Sequence, residues 1–216
     1  KLVLDYKGLY TIEKFLLSRK LMYLQVYMHK TVLSAEQTLM NILKRAKYLA
    51  SKNQKIFMTD SLKKFLKNEI NMNNQTNLTK NLNYFSKLDD YDIMISIKEW
   101  QKSDDIILSM LSKQIIERKL HKIKELEKKE LRKTTEKIKK KLLKKYSMSN
   151  SDLEYLVFSI ETKHKIYVPH KNPIYILKQE NNKYELSGIE KKLKFNKNQN
   201  TIIKNFICYH PIVKKL

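Results

Sequence analysis

The stretch Leu16–Gln37, LLSRKLMYLQVYMHKTVLSAEQ, lays polar chemistry along an otherwise apolar helix. Arg19, Tyr23 and Tyr27 are spaced i, i+4, i+8, which on an α-helix stacks them along one face, and Lys30 follows about one turn later. Leu16, Met22, Val26 and Leu33 supply the neighbouring apolar stripe. A guanidinium flanked by two phenols beside a buried face suits an anion attached to a flat or ring-shaped group. The fork grips phosphate or carboxylate oxygens, and a tyrosine packs on the ring. The same spacing also describes an ordinary helix seam, with Arg19 reaching solvent or a carboxylate and the tyrosines at the core edge. The residues alone leave both readings open.

Working outward, Lys1–Asp5 alternates weakly and ends at the turn signal Tyr6-Lys7-Gly8. Thr11 is placed to cap a helix whose apolar periodicity runs on to Ala50. One unbroken helix over some 40 residues would be about 60 Å long, so a break is expected near Lys30–Val32 with Thr31 recapping. Thr59-Asp60-Ser61 caps a short helix to about Lys67. Asn68–Asn83, rich in Asn, Thr and Gln, reads as a long polar connection with room for a helical turn. Asp89, Asp90 and Asp92, then Asp104 and Asp105, precede two apolar helices. They are read as caps rather than metal ligands, because acids at helix N-termini satisfy free N–H groups and no His adjoins them.

Leu120–Lys124 is a short strand candidate, followed from about Glu127 to Tyr146 by a lysine-rich amphipathic helix. Beyond Asn150 come the short apolar runs EYLVFSI, KIYV, PIYILK, KYELS and NFICYH. The first is expected to be helical with Ser151-Asp152 as cap, and the others to be strands. His170–Pro173 and Glu180–Lys183 read as turns between them. The expected class is α+β: a mainly helical N-terminal part, residues 1–118, then residues 119–216 as a small antiparallel sheet with the basic helix packed on it.

Composition narrows the function. In 216 residues, 45 Lys and Arg against 22 Asp and Glu give a formal charge of +23, which raises nucleic-acid binding through Glu127–Tyr146 as an alternative. The excess is nearly all lysine, however. Only Arg19, Arg45, Arg118 and Arg132 carry the fork that base reading favours, and Lys, Asn and Ile share A/T-rich codons. Two glycines, Gly8 and Gly188, exclude a P-loop or dinucleotide fingerprint. Each histidine (His29, His121, His164, His170, His210) precedes Lys or Pro, so no His-Asp or His-Glu-x-x-His motif exists. All but His29 are read as surface or strand residues. The single Cys208 excludes an internal disulfide, reads as a small buried hydrophobe and suits a reducing cytoplasm. No apolar run is long enough to span a bilayer, so no membrane partner is expected. The chain opens on Lys1 rather than Met, and a longer parent is expected.

The run IEKFLLSRKLMYLQVYMHKTVLSAEQTLMNILKRA resembles the helix that follows the catalytic core in bacterial HD-superfamily phosphohydrolases, relatives of the deoxynucleoside triphosphate triphosphohydrolases. The shared pattern is Arg-x-x-x-[His/Tyr]-x-x-x-Tyr-x-His-Lys, here Arg19, Tyr23, Tyr27, His29 and Lys30. LVLDYKGLYTIEKFL, LDDYDIMISIKEWQKSDD and IIERKLHKI are similar to the same family's C-terminal half, the last through Arg118, Leu120 and Lys122. The resemblance implies a divalent metal (Mn, Mg, Zn or Fe) in the full-length protein, held by a His…His-Asp…Asp set that is largely N-terminal to these residues, so that this chain alone binds none and carries no complete catalytic set. It implies that Arg19 meets a nucleotide's phosphate tail, that Tyr23 lines the pocket near it, and that Tyr27 packs on the sugar. It also implies that His29, Lys30, Arg118 and Lys122 lie towards a regulatory nucleotide site at a contact of a homo-oligomer. Tyr23 and Met28 stand where the triphosphohydrolases usually carry His and Gln, which leaves a phosphomonoester or another nucleotide as substrate beside a dNTP.

Overall fold

Asp5 accepts a hydrogen bond from the Lys7 amide at 2.8 Å, and this local closure turns strand β1 (Leu4–Asp5) through a single 3₁₀ turn into helix α1 (Leu9–Met22). The computed structural model describes residues 3–67, 75–146, 148–177, 183–186 and 200–213. Gly8, not Thr11, precedes α1, and Thr11 lies inside its first turn.

The long helix does break near the expected place, at Met28–His29 directly before Lys30. Tyr23–Tyr27 form a π-helical turn, closed by the Met28 amide donating to the Tyr23 carbonyl at 2.8 Å. His29 is then extended and caps α2 (Lys30–Ser51), its Nδ1 accepting from the Thr31 amide at 3.3 Å. Thr31 therefore donates to the cap rather than being it. The expected apolar stripe needs correction, and the π turn alters the facing of the residues that follow it. Met22 and Val26 are 42% and 54% exposed, whereas Met28 joins Leu16 in the core and Leu33 is buried at the start of α2.

Helix α3 (Asp60–Lys67) starts where expected, with Thr59 Oγ1 accepting from the Leu62 amide. The Asn68–Asn83 connection needs correction: its residues 68–74 lie outside the described residues, and α4 (Gln75–Phe85) is helical. The Phe85 ring meets Phe65 edge-on at 6.3 Å, a tertiary contact that a polar composition hides. Both acidic clusters are caps. Asp89 and Asp92 form a reciprocal capping box on α5 (Asp90–Trp100), and Asp105 accepts from the Leu108 amide at the head of α6 (Ile106–Ile116).

After β2 (Lys122–Glu125), α7 (Lys128–Lys145) lays Ile138 and Leu142 on a sheet, fully buried beneath its lysines. Helix α8 (Asn150–Leu156) is capped by Ser149, two residues before the expected Ser151, with Asp152 completing the box. Strand β3 (Val157–Lys165) follows at once, so strand structure ends where KIYV was expected to begin. Strands β4 (Tyr175–Leu177), β5 (Lys183–Glu185) and β6 (Thr201–Tyr209) fall within the other three apolar runs, β6 starting ahead of its run. Residues 180–182 of the second expected turn lie outside the described residues.

Among the described residues the strands make two sheets rather than one. β2, β6 and β3 form an antiparallel sheet in the order β2-β6-β3. β1 pairs parallel with β4, which pairs antiparallel with β5. The α+β class therefore holds. One core joins α2, α5, α6, α7 and α8 to β3 and β6 around Ile42, Trp100, Leu108, Ile138 and Ile207. A second, smaller core joins α1 and Met28 to Ile166, Tyr167, Ile176 and Ile202.

Candidate functional site

The Arg19 face lies where the second core meets the end of β3. Arg19 Nε donates to the Ile166 carbonyl at 3.2 Å, and Nη2 reaches the Tyr23 hydroxyl at 3.4 Å. The guanidinium carbon stands 5.2 Å from the Tyr23 ring centroid. Among the described residues no carboxylate pairs with Arg19. A half-buried guanidinium held by a carbonyl and a phenol keeps its charge available for an anion.

Tyr23 is gripped from both sides. Its ring is tilted against Tyr27 at 4.8 Å and stacked on His164 at 3.5 Å, with planes 21° apart. His164 was expected to be a surface or strand residue, and its stacking on the candidate face is what the sequence reading missed. A signal existed: along β3 the residues alternate between partly covered and exposed, and His164 falls on the covered side. Burial, and then the positive charge of Arg19, lower the His164 pKa below its ordinary value, so the imidazole beside the guanidinium is neutral. Its Nε2 is buried without a hydrogen-bond partner among the described residues.

Tyr27 and Lys30 are exposed, with the π turn and the cap between them. His29 is committed through Nδ1 to capping α2. Arg118 is exposed in the left-handed region, φ 57°, and Lys122 is exposed at the start of β2. The structure brings that segment to α2. Ser34, one turn after Lys30, donates to the His121 carbonyl at 2.7 Å, and Thr38 Oγ1 lies 2.9 Å from His121 Nδ1. The intervening His121 is not a surface residue. It is 3% exposed, edge-on to His210 at 5.9 Å, and burial with the neighbouring His210 pushes its pKa down to about 3. Burial likewise lowers His210 to about 4.

Among the described residues no three His, Cys, Asp or Glu side chains gather in a way that could hold a metal ion. Cys208 is fully buried on β6, and burial pushes its thiol up to about 12, which makes it inert. No helix among the described residues is long and apolar enough to cross a membrane.

With this geometry in place, comparison with known proteins defines a class. Residues 1–63, which carry the whole Arg19 face, match the HD associated region. The crystal structure of a phosphohydrolase from Bacteroides thetaiotaomicron VPI-5482 superposes with a TM-score of 0.79 at 31% identity, over 97% of this chain and 52% of that one. The chain is thus similar to the HD associated region over residues 1–63 and to part of a phosphohydrolase over nearly all of its length. The Bacillus subtilis (strain 168) protein YwfO is 30% identical over 120 residues, 56% of this chain and 26% of its own length. A hypothetical protein from Aquifex aeolicus shares the fold, with a TM-score of 0.55 and 22% identity over 99% of this chain and 45% of that one. The chain spans about half the length of the solved relatives and about a quarter of YwfO.

Proposed function

We propose that this chain is the C-terminal part of a metal-dependent HD-type phosphohydrolase acting on nucleotides, and that it supplies one wall of the substrate pocket. The observation that carries this reading is Arg19: a half-buried guanidinium, fixed by the Ile166 carbonyl and Tyr23, with no carboxylate among the described residues to neutralise it. In this reading Arg19 takes the phosphate tail, Tyr23 lines the pocket beside it and Tyr27 offers its exposed ring to the sugar. Positive charge placed where phosphoryl oxygens gather favours both binding and transfer. Residues 1–118 carry this wall, and residues 119–216 brace it through Ile166 and His164. The divalent ion binds to residues outside this chain. His29, Lys30, Arg118 and Lys122 serve a regulatory nucleotide at a homo-oligomer contact. The Ser34–His121 hydrogen bond, which ties the start of α2 to the Arg118–Lys122 segment, supports that grouping.

The test is hydrolysis of dNTPs with Mn²⁺ or Mg²⁺, followed by product chromatography. The full-length protein is expected to turn over and the 216-residue chain alone is not. Turnover by the isolated chain, or none by the full-length protein, contradicts the proposal.

A further inference from the structure

A polar cavity open to solvent is lined by α2, α7, α8 and the start of β3, with none of the Arg19 face in its lining and a volume of ≈ 660 Å³. That size falls in the range of small-ligand sites. Its centre is built on Arg45. The Nε and Nη2 atoms of Arg45 fork onto Asp105 at 3.0 and 2.6 Å, and Nη1 lies 2.9 Å from Asp152. The guanidinium carbon also stands 5.3 Å from the Tyr48 ring centroid and 5.4 Å from that of Tyr155. Arg45 is therefore neutralised, and its role is to fix the two rings and two helix heads that shape the cavity.

The cations left for a ligand are Lys44 and Lys139. Both line the cavity, and neither has an ion-pair partner among the described residues. Lys139 is half-buried beside the fully buried Ile138, its stem lying along the helix while its ammonium stays free to meet an anion. The lining carboxylate Glu154 pairs with neither lysine. Tyr48 is 47% exposed, so part of its ring remains open to a ligand. Asn41, whose amide nitrogen is committed to the Tyr155 carbonyl at 3.2 Å, adds a fixed polar edge.

We infer that this cavity binds a nucleoside phosphate, with Lys44 and Lys139 on the phosphate and Tyr48 stacked on the base. Cations and an aromatic face converging on one polar cavity of this size match a charged group joined to a flat ring. The site is independent of Arg19, so it stands or falls separately from the pocket wall proposed above.

The test titrates ATP, pyrophosphate and adenosine into the chain carrying Arg19→Ala, by calorimetry. Saturable one-to-one ATP binding is expected, with pyrophosphate and adenosine each at least about tenfold weaker because each lacks half of the contacts. Adding Lys44→Gln and Lys139→Gln, neither of which takes part in the Arg45 ion pairs, is expected to weaken ATP by about tenfold or more. Tyr48→Leu is expected to weaken ATP severalfold and pyrophosphate not at all. No ATP binding at millimolar concentration, or binding that survives the double lysine change, overturns the inference. A ten-nucleotide oligo(dT) that binds more than about tenfold tighter than ATP also overturns it, and assigns the cavity to a nucleic-acid strand.

Discussion

Tyr23 and His164, 141 positions apart in the sequence, stack with ring centroids 3.5 Å apart and planes 21° from parallel. This contact ties the π turn after α1 to the end of β3, one residue short of Lys165 and two short of the carbonyl that holds Arg19. The candidate wall is thus braced from the far end of the chain.

His164→Ala is expected to cost about 0.5–1.5 kcal/mol of unfolding free energy, the usual worth of an aromatic pair. His164→Phe keeps a ring and is expected to restore most of that loss. Urea denaturation of the three proteins checks it. Equal loss in both variants would show that the imidazole nitrogens, not the stack, do the bracing.

The buried histidines set a pH dependence. His121 and His210 hold pKa values of about 3 and about 4 when folded, against an ordinary 6.5. Their lowered folded values mean that the unfolded chain binds protons first as pH falls. The stability they contribute is therefore complete above about pH 6.5 and drains as pH drops towards 4. Each residue adds a slope of about 1.4 kcal/mol per pH unit within that window. Denaturation curves at pH 7, 6 and 5 are expected to show falling midpoints, less steeply in His210→Gln. A parent that is flat from pH 7 to 5 contradicts the burial of this pair.

Arg45 joins two helix heads, since Asp105 caps α6 and Asp152 completes the box on α8. Burial opposes its charge, but the Asp105 hydrogen bond and the two carboxylates outweigh it and raise its pKa. Arg45→Met leaves both carboxylates partly buried and unpaired, for an expected loss of about 2–4 kcal/mol. Adding Asp105→Asn is expected to recover part of it, because one stranded charge is removed. Additive losses in the double variant would contradict the coupling.

Local chemistry was the most legible part of this chain. Thr59, Asp89 with Asp92, and Asp105 cap helices as their sequence positions indicate, because a cap needs only residues two or three apart. The face of Leu16–Gln37 was half legible. The Arg19–Tyr23–Tyr27 succession survives, but a period of 3.6 carries no mark of the π turn that precedes the buried Met28. Long-range partners were the least legible. Ile166 contributes a carbonyl, which has no side-chain signature, and the two-residue β1 is too short for its pairing with β4 to be read. His164 was marked by strand alternation as facing inward, yet nothing in its neighbours names Tyr23 as what it faces.

The most direct test of the central claim is dNTP affinity in the full-length protein, measured by equilibrium titration for the parent, Arg19→Ala and Arg19→Lys. Arg19→Ala is expected to raise Kd by about tenfold to a hundredfold, the worth of a charge-assisted hydrogen bond, while leaving Tm nearly unchanged. Arg19→Lys is expected to recover only part of that affinity, because an ammonium lacks the fork. An unchanged Kd in a folded Arg19→Ala protein would contradict Arg19 as the phosphate-binding residue of this wall.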